Sequence, residues 1–215
     1  GSSICLFRGG AFPEVAVGAE GTRAGGRLSA GAVYLFKEMP RGGVSITKIG
    51  VGEGGFAGQL DQFDYFGGAV ARIGDLDGDG HPELAVGARG DDDAGFRAGA
   101  IYILFMRPNS VAHGMTVHSQ AKLTAGGAYD EFGASMAAPG DINGDGIPDL
   151  IVGAPARPSS GSSGGATGAV HILYMATDGT TLSRVVLSPS SWGATGPSVV
   201  AGALFGASVA ALRHP

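Results

Sequence analysis

The chain has 215 residues, 44% hydrophobic and 15% charged, which excludes a disordered polymer and leaves room for one large domain or two small ones. A formal net charge of −5 with no basic stretch argues against nucleic acid as a partner. No apolar run reaches the roughly 18–20 residues of a helical membrane span, and no basic segment leading into an apolar one marks a secretory leader, so no membrane insertion is expected of this segment.

Glycine is the outlier at 41 residues, without a period of three. Such a density disfavours helices and suits tight turns and close backbone contacts. A single cysteine, Cys5, rules out an internal disulfide and reads as a small apolar residue.

From the N-terminus, "PEVAVGAEG" (13–21), "GAVYLF" (31–36) and "VSITKI" (44–49) are short apolar runs rich in β-branched and aromatic residues and bounded by glycine. Each predicts a strand. The next stretch, "YFGGAVARIGDLDGDGHPELAVGARG" (65–90), aligns without a gap on "EFGASMAAPGDINGDGIPDLIVGAPA" (131–156). Each copy is followed by a second apolar run, "GAIYILFM" (99–106) or "GAVHILYM" (168–175). A third run closes each unit, "MTVHSQAKL" (115–123) or "TLSRVVL" (181–187). Gly31, Gly99 and Gly168 open the second run in three successive units, a period of 68 to 69 residues. The stretch "LFGASVAAL" (204–212) starts the pattern again.

Strands that are apolar on both sides, as in "AIYILFM", must be covered on both sides. Four-stranded units that repeat every several tens of residues and cover one another predict an all-β chain of propeller blades, each of four antiparallel strands. A β-solenoid is the competing architecture, but its repeats are much shorter. About three blades fit in residues 1–215 as one region. Residues 1–60 form a blade without a first strand or acidic loop, 61–127 and 128–200 form complete blades, and 201–215 supply a first strand that completes the N-terminal blade. Three blades fall short of a ring of roughly four to eight. The expected closure is therefore by strand exchange or dimerisation, as a six-blade homodimer that leaves no unpaired edge, with a fragment of a longer propeller as the alternative.

The acidic loops carry the chemistry. Asp75, Asp77, Asp79 and Glu83 stand at positions 1, 3, 5 and 9 of the first; Asp141, Asn143, Asp145 and Asp149 match them in the second. Glycine at position 6 permits a sharp turn, and the oxygen donors form a cage for a hard divalent cation. Calcium accepts roughly 6–8 oxygens in flexible loops, whereas magnesium demands a tighter octahedron. Position 7 is His81 or Ile147, so its donor is the backbone carbonyl and not an imidazole. An EF-hand would need a glutamate at position 12, where Val86 and Val152 stand. Plain Asp-Gly turns need one acid, not four. The expectation is two Ca2+ per chain and none in the first unit, where Leu6, Arg8 and Gly10 replace the aspartates.

Phe66-Gly67 and Phe132-Gly133, the Dx[DN]xDGxx[DE] loops, and "VGA" (86–88) or "VGAP" (152–155) together resemble FG-GAP repeats, which build the integrin α-subunit propeller. The motif occurs twice in full and twice in part and extends over nearly the whole chain. The resemblance implies a calcium loop between the first two strands of a blade on one rim and ligand binding at the opposite rim. Integrin propellers have seven blades, a count this chain does not reach.

Other residues have plainer readings. Arg89-Gly90-Asp91 spells a tripeptide that integrins recognise, but it reads as solvated loop. The five histidines share no spacing that suggests zinc or a catalytic triad, and His171 is read as a core or edge residue. The function expected is a non-enzymatic, calcium-stabilised module for adhesion or protein interaction, extracellular or at the cell surface. The alternatives are a glycan-binding propeller and the accessory domain of a larger secreted enzyme.

Overall fold

A computed structural model describes residues 3–7, 14–39, 42–109, 114–124, 127–156, 167–191 and 202–211. The first sheet comprises β1 (Ser3–Phe7), β2 (Glu14–Gly18), β3 (Val33–Glu38) and β4 (Val44–Ile49). The second comprises β5 (Phe66–Gly74), β6 (Glu83–Ala88), β7 (Ala100–Asn109) and β8 (Gly114–Leu123). The third comprises β9 (Ser135–Gly140), β10 (Asp149–Ala154), β11 (Ala169–Met175) and β12 (Thr181–Leu187). Each sheet is an antiparallel meander in chain order, consistent with a propeller blade, and the described residues contain no α-helix.

Two expectations need correction. The first sheet has its own first strand, β1, paired with β2 from Ser3↔Gly18 to Phe7↔Glu14. Its sequence carries neither Phe-Gly nor an acidic loop, yet Ile4 and Leu6 alternate with Ser3 and Cys5, which is enough for a strand. The edge that strand exchange was to fill is thus already occupied. Conversely, 204–212 does not form a strand among the described residues. Phe205 makes a parallel bridge to Gly168, and residues 207–211 lie in no strand among the described residues.

The second sheet lies between the other two. Val70, Leu84, Val86, Tyr102 and Leu104 on one of its faces pack with Ala16, Val33, Leu35 and Ile49 of the first sheet. Ala85, Ile101, Ile103 and Phe105 on the other face pack with Leu150, Val152 and Leu173 of the third. Burial on both sides explains why all six residues of β6 are buried and why β7 reads as a continuous apolar run.

Glycines at two repeated positions set the spacing between sheets. A Cβ on Gly18, Gly87 or Gly153 would lie 1.9, 2.1 or 1.9 Å from the carbonyl oxygen of Gly67, Gly133 or Gly206. A Cβ on Gly31, Gly99 or Gly168 would lie 2.0, 2.2 or 2.0 Å from the oxygen of Phe66, Phe132 or Phe205. The Phe-Gly pair that opens each unit is therefore seated on the sheet before it. Backbone bonds hold it there: Phe66, Phe132 and Phe205 donate to Ala30, Ala98 and Thr167 at 3.0, 2.9 and 2.9 Å. The preceding residues Tyr65, Glu131 and Leu204 adopt the left-handed region, with φ of 58°, 53° and 51°.

A valine at Gly87 forces these sheets apart, and Gly87→Val is expected to lower unfolding stability by about 3 kcal/mol. Gly21→Ala, where nothing lies within 4 Å of the added Cβ, is expected to change it by less than about 0.5 kcal/mol. Urea denaturation of both variants checks the contrast.

Candidate functional site

β5 ends at Gly74 and β6 starts at Glu83, so the first acidic loop is the turn between them. Its backbone amides organise the carboxylates. Gly78 and Gly80 donate to the two oxygens of Asp75 at 2.8 and 2.9 Å, Asp79 to Asp77 at 3.1 Å, and His81 to Asp79 at 2.8 Å. Asp75, Asp77 and Glu83 each bring an oxygen within 4.8 Å of the others. Glu83 is 0% exposed; one oxygen accepts the Leu76 N–H at 2.5 Å, while Oε1 has no partner. Burial pushes its carboxyl up to about 8 against the pull of the Leu76 N–H, and the charges of Asp77, Asp75 and Asp79 push the same way. A buried acid with an unpartnered oxygen beside two exposed carboxylates fits a cation, which would satisfy the oxygen and cancel the repulsion.

The remaining predicted ligands of this loop stand apart. Asp79 pairs with Arg107 at 3.1 Å, and neither it nor His81 joins the three-carboxylate group.

The second loop has the same backbone but a looser set of donors. Gly144 and Gly146 donate to Asp141 at 2.7 and 2.7 Å, Asp145 to Asn143 at 3.0 Å, and Ile147 to Asp145 at 2.8 Å. The Gly146 N–H above all, joined by those of Gly144 and Asp145, holds Asp141 below the usual carboxylate range. Asn143 donates its amide to Asp145 at 2.8 Å. Asp149 is 0% exposed, and both its oxygens accept main-chain N–H groups, from Ile142 at 2.7 Å and Met175 at 3.1 Å. Among the described residues, its acids do not gather as those of the first loop do.

The first sheet answers the same electrostatic problem differently. Glu14 opens β2 as Glu83 opens β6 and Asp149 opens β10. It is 2% exposed, and Lys37 Nζ lies 3.1 Å from it. The cross-strand partner of Glu14 is Lys37, whereas the equivalent positions on β7 and β11 are Phe105 and Tyr174. A covalently attached ammonium thus faces this carboxylate. Sequence reading missed Lys37 because its role is visible only once the strand register pairs it with Glu14.

A cleft of about 580 Å³ opens at the other end of β5 and β6, where β5 begins and β6 ends. Asp61, Phe63, Tyr65, Asp92, Phe96 and Arg97 line it. Phe63 and Phe96 are 46% and 58% exposed, and Phe96 packs against the ring of Tyr129 at 5.2 Å. Arg97 is ion-paired with Glu131, and Asp61 with Arg27 at 3.3 Å. Starting the repeat at Tyr65 hides the signal for this cleft: "FDYFG" (63–67) and "YDEFG" (129–133) repeat an aromatic residue followed by a buried aspartate.

Arg89-Gly90-Asp91 is not solvated loop. Asp91 is 1% exposed, 2.5 Å from Lys122 and within 3.3 Å of the Tyr102 hydroxyl. Arg89 pairs with Glu20 at 3.2 Å and lies 4.5 Å over the Tyr65 ring. The tripeptide joins neighbouring sheets. His171 is a core residue, 0% exposed, with its ring 5.1 Å from that of Phe132.

Comparison with known proteins finds a family model described as the FG-GAP repeat over residues 132–173 and one described as an FG-GAP-like repeat over 75–152. Phosphatidylinositol-glycan-specific phospholipase D of Bos taurus is 31% identical over 168 residues, covering 74% of this chain and 19% of that protein. Integrin alpha-5 of Xenopus laevis is 34% identical over 95 residues, covering 44% of this chain and 9% of the relative. Integrin alpha-E of Homo sapiens is 33% identical over 129 residues, covering 57% and 10%. The chain spans less than a fifth of the length of each of these relatives.

Removing the ammonium at position 37 strands a buried carboxylate. Lys37→Met is expected to cost about 1–3 kcal/mol, with much of the loss recovered in Lys37→Met/Glu14→Gln. Urea midpoints of the wild type, the single variant and the double variant provide the check.

Proposed function

We propose that this chain, an FG-GAP repeat protein resembling the integrin α subunits, is a non-catalytic, calcium-stabilised propeller module that binds a protein partner at a cell surface. One observation carries the calcium reading: Glu83, buried and with an unpartnered oxygen, stands against Asp75 and Asp77. In this reading Asp75, Asp77 and Glu83, with Asp79 swinging off Arg107 and the carbonyl of His81, hold the first ion. Asp141, Asn143, Asp145, Asp149 and the carbonyl of Ile147 hold the second. Oxygen-only donors on a flexible turn suit calcium over magnesium or a transition metal. The bound ion joins the ends of the first two strands, and its loss leaves carboxylates that repel one another.

Partner binding belongs to the opposite end of the strands. Exposed aromatic rings and an arginine in a concave site are residue types enriched at protein-recognition surfaces. The same rings favour one second reading, a glycan stacked on Phe63 or Phe96. A third reading, the accessory domain of a larger enzyme, draws on the likeness to a phospholipase D.

Calcium at about 100-fold its Kd is expected to add about 2.7 kcal/mol per site, or roughly 5–10 °C in Tm for one site in a domain of this size. Glu83→Gln is expected to melt at or above the wild type in chelator and to lose most of the calcium gain. Differential scanning calorimetry reads both, and equal melting with calcium and chelator sinks the metal reading. For the cleft, Phe63→Ala/Phe96→Ala is expected to reduce cell attachment to the immobilised chain at least several-fold. Unaltered attachment removes the cleft from the binding site, and a glycan-array signal lost in the same variant selects the sugar reading.

A further inference from the structure

The two acidic loops share one backbone, yet the carboxylate at their fifth position is held differently. One oxygen is treated alike: Oδ1 of Asp79 accepts the His81 N–H and Oδ1 of Asp145 the Ile147 N–H, both at 2.8 Å. The other oxygen is not. Oδ2 of Asp145 accepts the Asn143 side-chain amide at 2.8 Å, so that aspartate stays inside its own loop. Oδ2 of Asp79 instead accepts Arg107 Nε at 3.1 Å, from the third strand of the sheet.

Register shows where this arginine comes from. Leu84 pairs with Leu104 on β7 and Leu150 with Leu173 on β11, so Arg107 corresponds to Ala176. β11 ends at Met175, and Ala176 already belongs to the turn that leads into β12. β7 runs on through Arg107 to Asn109 and stays paired with β8 along the way. The longer strand thus carries a guanidinium to one loop and not to the other. That same loop holds the additional carboxylate, since Asp77 stands where the second loop has Asn143. One extra acid and one extra cation occur together at the first loop.

We infer that Arg107 is a built-in counter-ion of the first loop, which holds Asp79 in the metal-free protein and weakens the loop's affinity for a divalent cation. The inference rests on the calcium reading of this loop and adds to it what sets the concentration at which the loop fills. Asp75, Asp77 and Glu83 already stand together, so Asp79 is the carboxylate still to be recruited, and Arg107 competes for it. A guanidinium beside the loop also repels an incoming cation directly. The side chains of Arg107 and Asp79 are 47% and 22% exposed, which makes this a surface pair, worth a few-fold in an equilibrium constant and not orders of magnitude. Arg107 therefore tunes the loop without closing it.

Calorimetric titration of the chelator-stripped chain with calcium chloride is the test. Arg107→Gln removes the charge and keeps most of the stem. It is expected to bind calcium at the first loop about two- to fivefold more tightly than the wild type, and to melt lower in chelator. Arg107→Lys keeps the charge and is expected to give up most of that gain. In a Glu83→Gln background, where the first loop is disabled, Arg107→Gln is expected to leave calcium binding as it was. Four results overturn the role of Arg107 and leave the metal reading standing: unchanged or weaker calcium binding in Arg107→Gln, the same tightening in Arg107→Lys, the same tightening beside Glu83→Gln, or melting in chelator that does not fall. A wild type that takes up no calcium sinks both. If Arg107→Gln loses its circular dichroism, Arg107→Met takes its place and the same outcomes decide.

Discussion

Backbone touching backbone is the constraint on which the rest of this structure depends. Where Gly18 meets Gly67, Gly87 meets Gly133 and Gly153 meets Gly206, there is no room for even one side-chain carbon. That proximity lets small and β-branched residues of neighbouring sheets close into two continuous cores. It accounts for the glycines that repeat at these contacts, whereas others, such as Gly78, Gly80, Gly144 and Gly146, meet nothing and serve turns of positive φ. The cost is local. Tyr65, Glu131 and Leu204 take left-handed backbone angles that side chains disfavour, and hydrogen bonds to the preceding sheet hold the residue that follows each in place.

A second regularity is electrostatic. All three sheets start their second strand with a buried carboxylate: Glu14, Glu83 and Asp149. Burying an acid is unfavourable unless something positive or a hydrogen-bond donor meets it. Lys37 meets one oxygen of the first, two main-chain N–H groups meet both oxygens of the third, and one N–H meets the second, which leaves Glu14 Oε2 and Glu83 Oε1 without a hydrogen-bond partner and only Glu83 without a cation. One position in the repeat thus carries three local solutions, and the least satisfied lies in the loop whose acids draw closest together.

Much of this was legible in the residues, for reasons that differ from place to place. Strands β5 to β12 follow from apolar runs bounded by glycine, and the pairing of the two full units follows from a gapless alignment. β1 was not legible in the same way, because its five residues lack the Phe-Gly and aspartate signals and reveal themselves only by alternation. The segment at Phe205 begins as its residues suggest, with Phe205 bridged to Gly168 as Phe66 is to Gly31, while the described residues that follow it, 207–211, lie in no strand. At the acidic loops the residue types were readable, while the diversion of Asp79 to Arg107 required knowing which strand end lies beside it. Arg89-Gly90-Asp91 shows the opposite risk, since a tripeptide with a familiar spelling turned out to be internal scaffolding.

The phase of the repeat has a consequence for how such chains can be rearranged. A gene segment cut at Phe66 or Phe132 would sever the Phe-Gly pair from the sheet on which it sits. A segment running from Glu83 to the loop before Asp149 would instead carry Gly87, Gly99 and the Phe132-Gly133 pair that they contact. The inheritable module is therefore three strands of one sheet plus the first of the next. Recombination with breakpoints inside the aspartate turns would shuffle these modules among homologous genes and keep the Gly87–Gly133 and Gly99–Phe132 contacts within one module.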